Sequence, residues 1–277
     1  MTKFLIVNAD DYGWDRDINS ACHVLASRGS LTSVSAMAGR IDSLDGCSFE
    51  AKEGRVVSVG VHLNISTGKP VAYRTQSSPL VDVNTGEFKR INLNNLSSLF
   101  LSLKKRDIAQ EFDAQIETVM SKAGRVSHLD THHHVARLPT IALEVADAAR
   151  RHGISRVRTP RSAVGGSVSF HRRLIISWNQ RIYKSHELNF PSVRFGMPQV
   201  SNWDEFEVRF RRYASNVAWP DQCIAELSCH PSLGGGVLNQ SAEMEQRRRS
   251  DFSILSDERF SSLLSELNIE KASYYDF

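Results

Sequence analysis

The sequence predicts an α/β protein built around a barrel of parallel strands, and three observations indicate this fold. Short apolar runs alternate with amphipathic stretches, which is typical of βα units. The length of 277 residues is ordinary for one α/β barrel and allows a large core. Reactive side chains recur where the predicted strands end. We expect one domain over residues 1–277, with two domains as the alternative.

The predicted strands are the short apolar runs, taken in chain order. They cover residues 4–8, 32–37, 56–63, 126–130, 155–158, 223–228 and 272–275. Runs of this length, bounded by turn residues, favour buried strands.

The helices between these strands each show one apolar face. A helix before the fourth strand has its apolar stripe at Ile108, Phe112, Ile116, Val119 and Met120. The next helix begins near Pro139 and is predicted to end at Gly153 as a C-cap. Its apolar side is formed by Leu138, Ile141, Val145, Ala148 and Ala149.

Two segments do not fit this alternation. Residues 64–95 are rich in Ser, Thr, Gly and Pro, and residues 159–219 carry many aromatic residues and arginines. We expect both to be excursions over the active-site end of the barrel. No internal repeat or low-complexity linker marks a domain boundary.

The composition argues against several classes of partner. The net charge is +3, so no one-sign field indicates a nucleic acid or a membrane. Basic clusters such as Arg172-Arg173 and Arg247-Arg248-Arg249 are interpreted as solvated helix faces or helix ends. No stretch approaches the roughly 20 apolar residues of a membrane span, and the N-terminus does not resemble a signal peptide. The four cysteines lack C-x-x-C spacing, which favours reduced residues in a cytoplasmic protein.

Candidate functional residues fall at the carboxyl ends of predicted strands, where the loops of an α/β barrel form the active site. Asp10 and Asp11 follow the first strand, His62 ends the third, and His230 follows the strand at 223–228. Because that strand lies far along the chain from the first, a closed barrel could place His230 across the mouth from Asp10. The fourth strand leads into a cluster of four histidines and one aspartate: His128, Asp130, His132, His133 and His134. Because at most two or three of these can reach one metal ion, others would orient the ligand rings, with His128 and Asp130 as candidates.

Each feature alone also has a purely structural explanation. Asp10 and Asp11 could form an Asx turn and a helix cap, and His62 could be a hydrogen-bonded core histidine. The histidine cluster could be a polar loop. His230, which precedes Pro231 and a glycine-rich loop, is uninformative by itself.

Together, however, these residue types indicate metal-assisted hydrolysis. One aspartate and two histidines leave a coordination position for water, which suits Zn²⁺ and is open to other divalent ions. Such an ion lowers the pKa of bound water toward roughly 7. A free carboxylate could accept the water proton, and a separate histidine could protonate a departing nitrogen. The set fits hydrolysis of an unactivated amide.

Four motifs, in order, resemble the signatures of the YdjC-like family, which includes chito-oligosaccharide deacetylases. The resemblance runs from residue 4 to the C-terminus. The motifs are Val7-Asn8-Ala9-Asp10-Asp11-Tyr12-Gly13, Gly60-Val61-His62-Leu63, His128-Leu129-Asp130-Thr131-His132-His133-His134 and Glu226-Leu227-Ser228-Cys229-His230-Pro231.

The resemblance implies a distorted TIM-like barrel with one divalent metal ion, Zn²⁺ or Mg²⁺. It implies that Asp11, His62 and His132 are the metal ligands. It further implies that Asp10 is the general base and His230 the general acid. The products would be acetate and a free amino sugar.

The sequence also departs from the family pattern. Ala136 stands where related sequences often continue the cluster with a further histidine, so we expect substrate contacts to differ while the chemistry is kept. The segment around Arg158 and Arg161 matches the family loosely. Either arginine could contact a polar or anionic group of the substrate, or form a structural salt bridge.

The expected partner is a small N-acetylated sugar, either a chito-oligosaccharide or a related glycoconjugate, and a homo-oligomer is compatible with the sequence. Two alternatives differ in function. One is another metal-dependent barrel hydrolase, acting on a phosphoester or a cyclic amide. Because phosphoesterases commonly use two metals about 3.5–4 Å apart, metal stoichiometry separates this alternative. The other is a non-catalytic sugar- or metal-binding protein on the same fold.

Overall fold

The computed structural model describes residues 2–39, 49, 56–72, 76–89, 104–162, 170–234 and 241–277. Its strands are β1 (Lys3–Tyr12), β2 (Ser33–Ala36), β3 (Ser58–Leu63), β4 (Leu129–Thr131), β5 (Val193–Gly196), β6 (Ile224–Cys229) and β7 (Ile269–Ala272). Its helices are α1 (Arg16–Ser27), α2 (Lys105–Ala123), α3 (Pro139–Arg151), α4 (Phe170–Ser185), α5 (Trp203–Ala214), α6 (Ala242–Ser256) and α7 (Glu258–Glu266). A 3-10 helix, His132–Arg137, joins β4 to α3.

The strands form one parallel sheet in the order β4-β3-β2-β1-β6-β5. β7 pairs with the first residues of β1, from Lys3 to Ile6. Within the described residues, the sheet continues beyond β4 and β5 as isolated bridges, which join Leu129 to Val157, Arg156 to Asn189 and Ser162 to Arg194. The result is a curved half-barrel with helices around it, and the predicted α/β class is confirmed.

The helices cover the outside of the sheet through the predicted apolar faces. In α2, Ile108, Phe112, Ile116 and Val119 are buried. In α3, the buried residues include the predicted apolar positions Ile141, Val145, Ala148 and Ala149. Gly153 follows α3 with a φ of 66°, a left-handed conformation that favours glycine after a helix.

Side chains of the central strands alternate between two environments, as the period of two in a strand requires. On β1, Leu5, Val7 and Ala9 belong to the main apolar core beneath the helices. Asn8 and Asp10 face the other way and are also buried. Neighbouring strands repeat this pattern, and the polar residues that share the inner side are Ser35, His62, His128, Asp130, Glu226 and Ser228. The sheet therefore encloses a polar network that leads to its carboxyl edge.

Some boundaries differ from the sequence analysis. The last strand is Ile269–Ala272 rather than residues 272–275, and the strand predicted at 155–158 is present only as bridges at Arg156 and Val157. Residues 159–219, expected to be an excursion, contain α4, β5 and α5, so this range supplies a strand of the sheet. The strand β5 was not predicted, because its four residues are too few to show a clear periodicity.

Of the range 64–95, residues 64–72 and 76–89 are described, and they form loops with one antiparallel bridge between Val81 and Phe88. The rest of that range lies outside the described residues. Cys22, Cys223 and Cys229 are free thiols, and Cys47 lies outside the described residues. Among the helices described, none is long and apolar enough to cross a membrane.

Candidate metal and catalytic site

The candidate residues converge at the carboxyl edge of the sheet. Asp10 and Asp11 end β1, His62 lies near the end of β3, and His132 directly follows β4. His230 directly follows β6, which pairs with β1 up to residue 229. Because parallel strands present their carboxyl ends at one edge, five residues far apart in sequence share one site.

Three of them form a compact donor set. Oδ1 of Asp11 lies 3.0 Å from Nδ1 of His132 and 3.5 Å from Nε2 of His62. The three donor atoms all lie within 4.8 Å of one another. Asp11 has a φ of 65°, a left-handed conformation that separates the direction of its side chain from that of Asp10. Adjacent carboxylates can therefore serve different purposes.

The chemistry of this set fits a divalent cation. Oδ1 of Asp11 is buried and has no hydrogen-bond partner, although two imidazole nitrogens are close to it. Its other oxygen, Oδ2, accepts a hydrogen bond from the guanidinium of Arg248 on α6. Burial alone would raise the pKa of Asp11, but His132 and Arg248 outweigh it and hold this pKa well below its usual range. One carboxylate oxygen and two imidazole nitrogens are ligands that Zn²⁺ and similar ions accept.

Asp130 orients one of these imidazoles. Nδ1 of His62 donates to Oδ1 of Asp130 at 2.8 Å, which leaves Nε2 as the nitrogen facing Asp11. Oδ2 of Asp130 lies 2.5 Å from the guanidinium of Arg158 and accepts from Oγ of Ser35 at 3.1 Å. A carboxylate that holds a ligand histidine in this way is typical of metal sites in proteins.

Asp10 is held by a different set of contacts. The guanidinium of Arg158 donates to both oxygens of Asp10, at 3.0 Å and 2.6 Å, and Nδ2 of Asn8 donates to Oδ1 at 2.8 Å. Burial alone would raise the pKa of Asp10, but the positive charge of Arg158 outweighs it and keeps this pKa well below its ordinary value. Asp10 is therefore an oriented carboxylate.

Arg158 is the buried centre of this polar network, with only 7% of its surface exposed. Besides Asp10 and Asp130 it donates to Glu226 from Nε at 2.8 Å, and the other oxygen of Glu226 accepts from the hydroxyl of Tyr274 at 2.7 Å. Its neighbouring carboxylates keep the pKa of Arg158 well above its ordinary value despite burial. Of the two roles considered from the sequence, these contacts are those of a structural ion pair. Arg161, by contrast, is exposed.

His230 lies beside Asp10, which differs from the expectation that it would lie across the barrel mouth from the first strand. Its Nε2 is 3.6 Å from Oδ2 of Asp10, because β6 pairs directly with β1. The side chain of His230 is 41% exposed, and its backbone N–H donates to Oδ2 of Asp251 at 2.8 Å. Partial desolvation lowers the pKa of His230, although Asp10 and Asp11 oppose this shift.

The remaining histidines of the cluster do not join the donor set. His128 is buried, and its ring stacks on Tyr274 with centroids 3.6 Å apart. Nδ1 of His133 lies 3.0 Å from Oγ of Ser66. His134 lies near Arg194, and burial with nearby arginines keeps its pKa well below the ordinary value. Both His133 and His134 have positive φ angles, of 52° and 53°, so the chain turns sharply after His132.

Comparison with known proteins identifies the family of the chain. Residues 4–266 match the family described as YdjC-like protein. The chain belongs to the YdjC-like family.

Two relatives of this YdjC-like chain match over essentially their full length, and a third matches over part of it. A carbohydrate deacetylase of Geobacillus stearothermophilus is 25% identical over 277 residues, which is 100% of this chain and 99% of the relative. A chitooligosaccharide deacetylase of Salmonella paratyphi B is 25% identical over 284 residues, covering 100% of both chains. A carbohydrate deacetylase of Clostridium beijerinckii is 32% identical over 150 residues, or 54% of this chain and 58% of the relative.

A solved structure shares the fold of this YdjC-like chain. It is that of an Enterococcus faecalis V583 protein described as a candidate for cellobiose-phosphate cleavage, with a TM-score of 0.75 and 21% identity. The match covers 99% of this chain and 98% of the other. The predicted TIM-like fold is confirmed.

The site opens into a large groove of about 1810 Å³, more than the roughly 300–1,000 Å³ of a typical small-molecule pocket. Asp11, His132 and His230 lie on its wall. Trp14 and Trp203 also line the groove, and Trp14 stacks on His132 with ring centroids 5.8 Å apart. Such a groove has room for a molecule larger than one sugar ring.

Sequence analysis did not single out four residues that support this site in the YdjC-like chain. Asn8 and Glu226 were quoted within motifs but given no role, and Ser35 was not considered. Arg248 was read as part of a solvated basic cluster, although it is buried and binds Asp11. A signal for Arg248 existed, because it lies on one stripe of α6 with the buried residues Asp251, Ile254 and Leu255.

Proposed function

We propose that this YdjC-like chain is a metal-dependent hydrolase that removes the acetyl group from an N-acetylated amino sugar and releases acetate. The observation that carries the proposal is the donor set of Asp11, His62 and His132 placed directly beside Asp10 and His230. The full-length relatives named as deacetylases of carbohydrates and chito-oligosaccharides support the same reaction.

Asp11, His62 and His132 would hold the divalent ion, Zn²⁺ or Mg²⁺. When bound, such an ion supplies an activated water and polarises the acetyl carbonyl. Asp130 and Arg248 would keep the donor atoms in place, since one fixes the ring of His62 and the other occupies the second oxygen of Asp11. The role of these two residues would therefore be to orient the metal ligands.

Asp10 would accept the proton of the attacking water. Arg158 and Asn8 hold its carboxylate in one orientation, so little rearrangement is needed during the reaction. His230, with Nε2 at 3.6 Å from Oδ2 of Asp10, can receive that proton and donate it to the departing nitrogen. The base and the acid therefore act from neighbouring strands on one side of the site.

The substrate would be a chito-oligosaccharide or a related glycoconjugate. The groove is large, and its lining includes both aromatic and polar side chains. These features suit a sugar, which presents apolar ring faces and many hydroxyl groups. The reacting acetamide would lie over Asp11 and His132, where the groove meets the carboxyl edge of the sheet.

Two other functions are less well supported. A two-metal phosphoesterase needs a second cation, and among the described residues the other candidate donor group is Asp10, His62 and Asp130. Arg158 already binds both carboxylates of that group, so a second cation would meet a positive charge there. A binding protein without activity has no use for an oriented base and a nearby imidazole.

The proposal can be tested by an acetate-release screen. Purified protein would be incubated with N-acetylglucosamine oligomers and N-acetylated glycolipid head groups, with and without added Zn²⁺, Mg²⁺ or Co²⁺. We expect acetate release that needs the added ion and is lost in Asp10→Asn, by roughly 10²-fold or more. Release of phosphate from phosphoesters with two ions per chain, or no turnover of any substrate, would contradict the proposal.

A further inference from the structure

Helix α4 carries an apolar ridge on the outside of the protein. Phe170, Leu174 and Trp178 are 70%, 52% and 59% exposed. Their spacing of four residues places them on one face of the helix. We call these three residues the α4 ridge. Exposed apolar groups that are contiguous, rather than scattered, mark interaction sites.

The ridge is surrounded by positive charge. Within Phe170–Ser185 there are four arginine or lysine residues and no aspartate or glutamate. The exposed basic side chains of the helix are His171, Arg173, Arg181 and Lys184. The net charge of +3 for the whole chain hides this local concentration. From the sequence, Arg172 and Arg173 were assigned to a solvated face, without regard to the apolar residues Phe170 and Leu174 beside them.

The opposite face of α4 is attached to the wall of the site. Asn179 and Tyr183 are its buried residues, and Nδ2 of Asn179 donates to the carbonyl of Ala136 at 2.8 Å. Ala136 belongs to the 3-10 helix that begins at His132. Between α4 and the polar network lies a cavity of about 200 Å³, lined by Tyr183 as well as Arg158. A helix is about 10–12 Å thick, so the ridge lies roughly one helix diameter from this wall.

We propose that the α4 ridge docks on an anionic lipid surface. Helices that bind at a membrane interface combine bulky apolar residues such as Trp, Phe and Leu with lysine and arginine, and α4 presents both groups outward. The apolar ridge would enter the headgroup boundary, and the basic side chains would contact anionic headgroups. Docking there would place the wall of the site beside molecules carried in that surface.

A second copy of this chain fits the ridge less well. A two-fold interface brings the same patch of both subunits together. Because the patch is basic and α4 has no acidic residue, such an interface would oppose like charges. An anionic lipid surface supplies the complementary charge.

The proposal goes beyond the proposed deacetylase function and is tested without turnover. Full-length protein would be sedimented with vesicles of phosphatidylcholine alone and with vesicles containing about one third phosphatidylglycerol. We expect binding to the anionic vesicles only, weakened by added salt because the Debye length shortens. The triple variant Phe170→Ser, Leu174→Ser, Trp178→Ser should lose binding by about tenfold or more. The matched control changes three exposed valines elsewhere: Val83→Ser, Val208→Ser and Val217→Ser.

Tryptophan quenching provides a second measurement that does not depend on a heavily substituted variant. Brominated acyl chains in the anionic vesicles should quench Trp178, and Trp178→Phe should remove that quenching while the vesicles still bind. Asp10→Asn should bind as the wild type does, so a failure of the deacetylase proposal leaves this result unaffected.

Three results would overturn the docking proposal. The first is equal binding to anionic and neutral vesicles, or binding to neither. The second is equal loss of binding in the ridge and valine variants. The third is a dimer in solution that the ridge variant converts to a monomer, because the ridge would then be a protein interface.

Discussion

Nδ1 of His62 donates to Oδ1 of Asp130 at 2.8 Å, and this bond directs Nε2 of His62 toward Asp11. We predict that Asp130→Asn lowers the affinity for Zn²⁺ by about 10–100-fold, because the ring of His62 loses its orienting carboxylate. Titration calorimetry on the folded variant measures this. Asp113→Asn, at a carboxylate on α2 that pairs with Arg151, is the control and should bind as the wild type does. Unchanged affinity in Asp130→Asn would show that Asp130 serves the fold only.

Metal content should separate two neighbouring histidines. We predict that His132→Ala loses most of the bound ion, since Nδ1 of His132 lies 3.0 Å from the free oxygen of Asp11. His133→Ala should keep it, because Nδ1 of His133 lies by Ser66 instead. Elemental analysis after dialysis gives the ratio of ion to chain, and one ion per chain is expected for the wild type. Full occupancy in His132→Ala would move the ligand role to His133 or His134.

The helices of the fold were predictable, because packing against the sheet requires a continuous apolar face. Long amphipathic stretches such as α2, with its buried Ile108, Phe112 and Ile116, were found at the right place. The strand β5 was not predicted, because its four residues carry too little periodicity, and pairing with β6 rather than local propensity stabilises it. For the same reason the segment at Val157 was predicted as a strand but forms only a bridge.

The site was predictable in its composition but not in its contacts. Strand ends and the histidine cluster indicated which side chains meet. Which strands are neighbours follows from the sheet order, so the position of His230 beside Asp10 could not be read from the spacing. Arg158 and Arg248 have the same side chain as the exposed arginines, and only burial against carboxylates distinguishes them.

Gly60 leaves space for the ring of His128, and a Cβ at Gly60 would overlap that ring. We predict that Gly60→Ala destabilises the protein by about 1–3 kcal/mol, the usual effect of an added group in a filled core. Gly196→Ala on β5 is the control, since a Cβ there meets no described atom within 4 Å. Urea unfolding measures both.

The overlap explanation also predicts coupling. His128→Ala combined with Gly60→Ala should cost less than the sum of the two single changes, because the ring that obstructs the new methyl group is gone. Strict additivity of the two free energies of unfolding would refute the steric explanation.

His128 should make stability depend on pH on the acid side. Burial lowers its pKa to about 3 in the folded chain, from 6.5 in the absence of the fold. Between these values the unfolded state binds more protons, so its contribution is complete above pH 6.5 and is lost as the pH falls. The loss at pH 4 amounts to about 3 kcal/mol, and His128→Asn should remove that part of the slope. Urea unfolding at several pH values measures it, with His171→Asn on the exposed face of α4 as the control; an unchanged slope in His128→Asn would refute the assignment.

The last prediction concerns the proton donor. An amine is a poor leaving group unless it is protonated as the tetrahedral intermediate collapses, so an amide hydrolase needs an acid close to the departing nitrogen. His230 is suited to this because its side chain reaches the groove and Nε2 lies 3.6 Å from Oδ2 of Asp10. We predict that His230→Ala slows deacetylation of an N-acetyl sugar by roughly 10²-fold or more. An activated aryl acetate ester, whose leaving group departs without protonation, should be hydrolysed within about threefold of the wild-type rate. Equal loss on both substrates would instead mean that His230 supports the loop it shares with Asp251, or the metal ligands.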